Sequence, residues 1–139
     1  MKIVSSGLGI GFAVLLFAAP ASADAGVGAF AGTWDGMRED VVIGTGGSGQ
    51  FDYTDFHNCS GCSMADAPRS TVNFTLTSVS GNVASGTVTA SSDTAAYSVG
   101  EPVTVTLQSE SWGQAIQWSI NGEQDGLFCT AAQAAECGG

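Results

Sequence analysis

Basic side chains are almost missing from this chain of 139 residues: Lys and Arg together number 3 and His 1, against 13 Asp and Glu, for a formal net charge of −10. So acidic a surface repels phosphate backbones, and the few basic groups are not interleaved with aromatic ones, which excludes nucleic acid as a partner. An anionic membrane surface is disfavoured on the same ground. Missing as well are a Gly-x-Ser-x-Gly elbow, a Gly-Lys-Ser/Thr phosphate loop, any internal repeat and any long amphipathic helical pattern. Those absences remove the sequence marks of an α/β-hydrolase, a nucleotide-binding loop and a solenoid or propeller.

The one apolar run, Leu8 to Ala18, is shorter than the roughly 20 residues a membrane span needs. With Lys2 before it and Ala21-Ser22-Ala23 after it, it has the layout of a cleaved secretory signal over residues 1–23. The expected mature chain, residues 24–139, is a single β domain, secreted and without a membrane span. Loss of Lys2 leaves Arg38 and Arg69 as its basic side chains and a net charge of −11. A charge that far from zero has the plain role of keeping an exported protein soluble.

Cys59, Cys62, Cys129 and Cys137, in a short exported chain, read as two disulfides, with three connectivities open. Proximity in sequence favours Cys59 with Cys62 and Cys129 with Cys137. His57-x-Cys59-x-x-Cys62 could open a zinc site, but thiolate ligation needs reduced cysteine, so no metal and no cofactor are expected. Cys59 and Cys62 have redox-pair spacing without the βαβ setting such a pair uses.

Alternation at period two runs through most of the mature chain. Val41 to Ile43 and Gln50 to Phe56 form the arms of a hairpin around the glycine-rich turn Gly44 to Gly49. Trp34 starts the first strand, and the period must slip once before Val41, with Gly36 the expected bulge or bend. Val72, Phe74 and Leu76 share one face, as do Val103, Val105 and Leu107, and Ile116, Trp118 and Ile120. Ser80-Gly81-Asn82, Ser111-Trp112-Gly113 and Asn121-Gly122 supply turns, with a last short strand at Leu127 to Cys129 and a helical turn after Thr130. The fold class is all-β: a small antiparallel barrel or sandwich of 6–8 strands.

Asp55 and His57, two residues apart, invite a Ser-His-Asp reading with Ser48, Ser60 or Ser63 as nucleophile, yet nothing singles out any of these serines. Asn121 to Gly126 offers oxygen ligands around glycines but lacks EF-hand spacing. Asn58-Cys59-Ser60 and Asn73-Phe74-Thr75 match the glycosylation triplet. No catalytic residue is assigned. The pocket candidates are Trp34, Phe51, Tyr53, Phe74, Trp112 and Trp118, which either line an apolar cavity or fill a core.

Gly32-Thr33-Trp34, opening a β-hairpin near the mature N-terminus, resembles the start of lipocalin-like and avidin-like barrels, whose Gly-x-Trp closes one end of an up-and-down barrel around a small ligand. Asp35-Gly36-Met37-Arg38 stands where the biotin binders place polar ligand contacts, so biotin is not implied. The chain is also similar to small exported actinobacterial proteins in its Phe30 to Trp34 start, Arg38, Gly47-Ser48-Gly49, the Cys59 and Cys62 pair and the Cys129 to Gly138 tail. That likeness implies fold and compartment, and no activity.

Two functions follow as expectations. The first is a non-enzymatic barrel that holds a small apolar or amphiphilic ligand. The second is an extracellular or cell-envelope interaction protein, with a protein or cell-wall partner and no internal ligand. An exported enzyme ranks below both, because one His and unpatterned acids leave no positioned acid, base or nucleophile.

Overall fold

Eight antiparallel strands close on themselves in chain order to make a barrel. The computed structural model describes residues 26–63 and 65–137, so the expected signal segment, 1–23, lies outside the described residues. The strands are β1 (Gly32–Gly36), β2 (Glu39–Ile43), β3 (Ser48–Thr54), β4 (Arg69–Ser80), β5 (Val83–Ser91), β6 (Pro102–Glu110), β7 (Gly113–Ile120) and β8 (Glu123–Cys129), followed by a 3-10 helix, Ala131–Cys137. Each strand pairs with the next, and Asp35 on β1 pairs with Cys129 on β8 to shut the seam.

The alternation read from the sequence is what sorts inside from outside. Val41 and Ile43, Phe51 and Tyr53, Val72, Phe74 and Leu76, Val103 and Val105, and Trp118 and Ile120 point inward and are buried. Their neighbours on the outer face are mostly Thr, Ser, Asn, Gln and Asp. A lipid-spanning barrel has the reverse arrangement, apolar outside and polar inside. Among the described residues, no helix is long and apolar enough to cross a membrane.

Three local features differ from the sequence reading. Gly36 is not a bulge in one long strand: the chain reverses at Met37-Arg38, pairing Gly36 with Glu39, and Arg38 takes the left-handed conformation (φ 61°) without the Gly or Asn such turns favour. The last strand is longer than Leu127 to Cys129. It begins at Glu123, directly after the Asn121-Gly122 turn, where both residues have positive φ, so the stretch weighed as a calcium loop is largely strand. Finally, the small-residue stretch before the first strand, whose composition suggests a mobile lead-in, makes turns from Gly26 that bury Phe30, whose carbonyl accepts a 3.0 Å hydrogen bond from Trp34 Nε1.

An up-and-down barrel has two unlike ends. Here the base carries Phe30, the short turns β2–β3, β4–β5 and β6–β7, and the 3-10 helix tied down by the Cys129–Cys137 disulfide. The opposite end carries the Met37-Arg38 and Asn121-Gly122 turns and the two long connections, residues 55–68 and 92–101.

At Gly86 the backbone of β5 lies tight against that of β4. A Cβ at Gly86 would land on the Thr75 carbonyl oxygen and 2.7 Å from Leu76 Cα, both backbone atoms that no side-chain rotation can move away. Gly86→Ala is therefore expected to cost about 1–3 kcal/mol or more, read from urea unfolding. An unchanged midpoint would mean the two strands are less tightly apposed than this.

Candidate interaction surface at the loop end of the barrel

β3 runs out of the barrel at Asp55, and the pattern that buries Phe51 and Tyr53 carries this carboxylate inward as well, to 1% exposure. A buried carboxylate must be satisfied. Asp55 Oδ1 accepts the backbone N–H groups of His57 (3.0 Å) and Asn58 (3.2 Å), while Oδ2 accepts the Ser70 hydroxyl (2.6 Å) and the Asn58 side-chain amide (2.6 Å). The Ser70 hydrogen bond holds the Asp55 pKa below its ordinary value of 3.8, against the opposing effect of burial and with further help from Asn58 and His57.

The same Asn58 amide donates to Asp93 Oδ2 at 2.9 Å, and His57 Nδ1 stands 3.5 Å from that oxygen. Asp93 Oδ1 in turn accepts the Ala95 N–H. One knot thus joins the β3–β4 connection, pinned by its Cys59–Cys62 disulfide, to the β5–β6 connection. Both disulfides have the pairing expected from sequence proximity.

Candidate donor atoms of Asp55, His57 and Asp93 come within 4.8 Å of one another, which is close enough to consider a metal ion. The hydrogen bonds argue otherwise. All four acceptor positions of Asp55 are taken, and the Asn58 amide occupies the space between the two carboxylates that a cation would need. The serine partner of Asp55 is Ser70, not Ser48, Ser60 or Ser63, and His57 faces Asp93. That is the arrangement of a loop clamp rather than of a nucleophile and its base. The same clamp commits the Asn58 amide, whereas Asn73 is exposed on the outer face of β4.

Of the pocket candidates, Trp34, Phe51, Tyr53, Phe74 and Trp118 lie in the barrel core, whereas Trp112 sits half-buried in the β6–β7 turn at the base, its carbonyl accepting from Gln133. The core rings touch each other. Trp118 is 4.6 Å from Phe74 and 5.3 Å from Phe51 between centroids, Phe51 stacks on Tyr53 at 5.2 Å, and Tyr97 from the β5–β6 connection stands edge-on to Tyr53 at 5.3 Å.

Among the described residues, two buried polar atoms have no hydrogen-bond partner, Tyr53 Oη and Trp118 Nε1. Ser70, opposite Tyr53 across the strands, directs its proton to Asp55 instead. Burial, and then the Asp55 charge, raise the Tyr53 pKa above 10.0. A raised phenol pKa contributes stability that is complete below the unfolded value and is lost as pH rises through the folded one. Tyr53→Phe should therefore leave stability near neutral pH unchanged, or raise it by about 1 kcal/mol, and flatten the alkaline decline. Denaturation at several alkaline pH values checks this; a steeper decline in the variant would contradict it.

Exposed large apolar side chains are few and unevenly placed. Among the described residues they are Met37 (64% exposed), Phe56 (46%), Val99 (64%) and Val42 (43%). The first three belong to three different connections at the loop end. Arg38 and Arg69 are at that end too. Arg69 donates to the Arg38 carbonyl and lies 3.5 Å from Asp40, so it braces the β1–β2 turn, while the Arg38 side chain is exposed. Sequence places Phe56 at the end of the second hairpin arm, whereas β3 ends at Thr54 and Phe56 lies in the connection beyond it. Met37 and Val99 carry no local signal that they share an end with it, and none links Asp93 to Asp55, 38 residues away.

Comparison with protein-family models, with curated proteins and with solved structures finds no match for this chain.

Proposed function

We propose that this protein is an exported, non-enzymatic interaction module that grips a partner protein with the loop end of its barrel. The observation that carries the reading is the gathering of Met37, Phe56 and Val99 on one end while the rings inside the barrel pack against one another. Exposed apolar groups rimmed by polar ones mark contact sites. The Asp55 clamp and the Cys59–Cys62 disulfide hold two of the three supporting connections in place beforehand, which lowers the ordering cost of association.

The test compares the native protein with a Met37→Ser, Phe56→Ser, Val99→Ser variant in capture from the culture medium and envelope fraction of the producing cell. The native protein should retain a defined partner and the variant, equally folded by circular dichroism, should lose at least about 10-fold in retention. Equal retention by both would refute the reading.

A second reading, a small amphiphile at the barrel mouth, is favoured by the unpartnered Tyr53 hydroxyl and Trp118 Nε1 and by the likeness of the Gly32-Thr33-Trp34 start to lipocalin-like barrels. Entry would require Tyr97 to swing off Tyr53. Native mass spectrometry of protein taken directly from its source would find a bound small molecule if this reading holds, and the bare chain mass if it does not.

A further inference from the structure

On the outer wall of the barrel, β2 to β5 enclose an open groove of about 400 Å³, and a second depression of about 260 Å³ adjoins it at Asn73 and reaches Ser92 at the edge of the loop end. We infer that this trough is a binding site for a neutral carbohydrate chain.

The trough exists because β5 is bulged. Asn73 pairs with Ala90 and Phe74 with Val88, so Thr89 is the extra residue of the bulge, and both Thr89 and Ala90 face outward. Bulges bend a strand and re-aim the side chains they carry.

The lining chemistry selects the ligand class. No charged residue lines either depression, in a chain whose net charge is −10. The walls present hydroxyls from Ser48, Thr75 and Thr89 and amides from Gln50 and Asn73, beside the exposed apolar Val42. The side chains of Ser48, Asn73, Thr75 and Thr89 make no hydrogen bond among the described residues, and Gln50 uses its N–H group on Asp52 but keeps its carbonyl oxygen free.

Five side chains that both donate and accept, beside a small apolar surface, match a neutral sugar, whose hydroxyls also do both and whose C–H faces need an apolar neighbour. An anionic glycan would meet the repulsion of the whole protein. An alkyl chain would leave the wall's polar groups unpaired.

The experiment is a 15N–1H titration of the disulfide-intact protein with cellohexaose, maltohexaose and the hexamer of N-acetylglucosamine, each in the millimolar range. An oligogalacturonate and a neutral Gly/Ser peptide of similar length serve as controls. At least one neutral sugar should produce saturable shifts confined to amides of residues 48–50, 71–75 and 88–92. Asn73→Ala with Thr89→Val should weaken that binding about 10-fold or more, with the thermal midpoint unchanged, since both side chains are exposed. Absence of shifts with every neutral sugar would overturn the inference, as would shifts centred elsewhere or equal binding of the anionic sugar or the peptide. The loop-end proposal stands apart from this outcome: the Met37, Phe56 and Val99 variant should bind the sugar as the native protein does.

Discussion

Trp118→Ala should remove about 3–5 kcal/mol of folding stability, a large part of the roughly 5–15 kcal/mol that a domain ordinarily has. Trp118 is fully buried, and its ring meets Phe74 of β4 and Phe51 of β3 from β7, across the interior. Truncation would leave a void lined by rings held in place by the closed hydrogen-bonded wall, with little freedom to collapse inward, and the cost of such a void rises with what cannot relax. Trp118→Phe keeps most of the contact and discards the unpartnered N–H, so it should cost clearly less. Trp112→Ala, at the half-buried turn, should also cost far less. Urea midpoints of the three variants provide the check, and equal losses for Trp118→Ala and Trp112→Ala would show that the interior is not braced through Trp118.

Asp55→Ala is expected to cost about 2–4 kcal/mol near neutral pH and to change the shape of the acid limb. The carboxylate gathers four donors at the end of β3, and its removal strands the Ser70 hydroxyl and the two N–H groups of residues 57 and 58 while loosening the clamp to Asp93. Its pKa lies below the ordinary 3.8. The stability it supplies is therefore complete above the unfolded value and is lost as pH falls through the folded one.

Native protein should lose stability on acidification from neutrality to about pH 3, and Asp55→Ala should lose less over the same interval, so that the two curves converge. Asp40 acts in the other direction. Burial, and then the facing Asp52, raise its pKa, so its contribution is present in acid and fades as pH rises. The difference between the native and variant curves, rather than either curve alone, reports Asp55. Parallel curves would mean that the clamp does not depend on the ionised carboxylate.

How far the site could be read in advance follows from the range of each interaction. Phe51, Tyr53 and Asp55 were legible as one face of a strand, and Asp55 with His57 as neighbours worth attention, because those relations span a few residues. That Asp55 is clamped by Ser70 and Asn58, and that Asn58 reaches Asp93, depends on two long connections meeting above the barrel, for which no local pattern exists. Sequence sets Trp118 in the alternating Ile116, Trp118, Ile120 face and Trp112 in a turn, but leaves open whether either lines a cavity or fills a core. That Trp112 is half-buried at the base while Trp118 packs at the centre of the core is decided by the closed barrel.

By itself the sequence determined which side chains face in and which face out and the Asn121-Gly122 turn, and it favoured the local pairing of the cysteines among three connectivities, because alternation, turn chemistry and short loops are properties of neighbouring residues. Tertiary structure alone decided that the ribbon shuts at Asp35 and Cys129, that Met37, Phe56 and Val99 come to one end, and that a bulge at Thr89 hollows the outer wall. Closure and bulging arise from the sum of twist and register over all eight strands, a quantity that no single stretch of the chain contains.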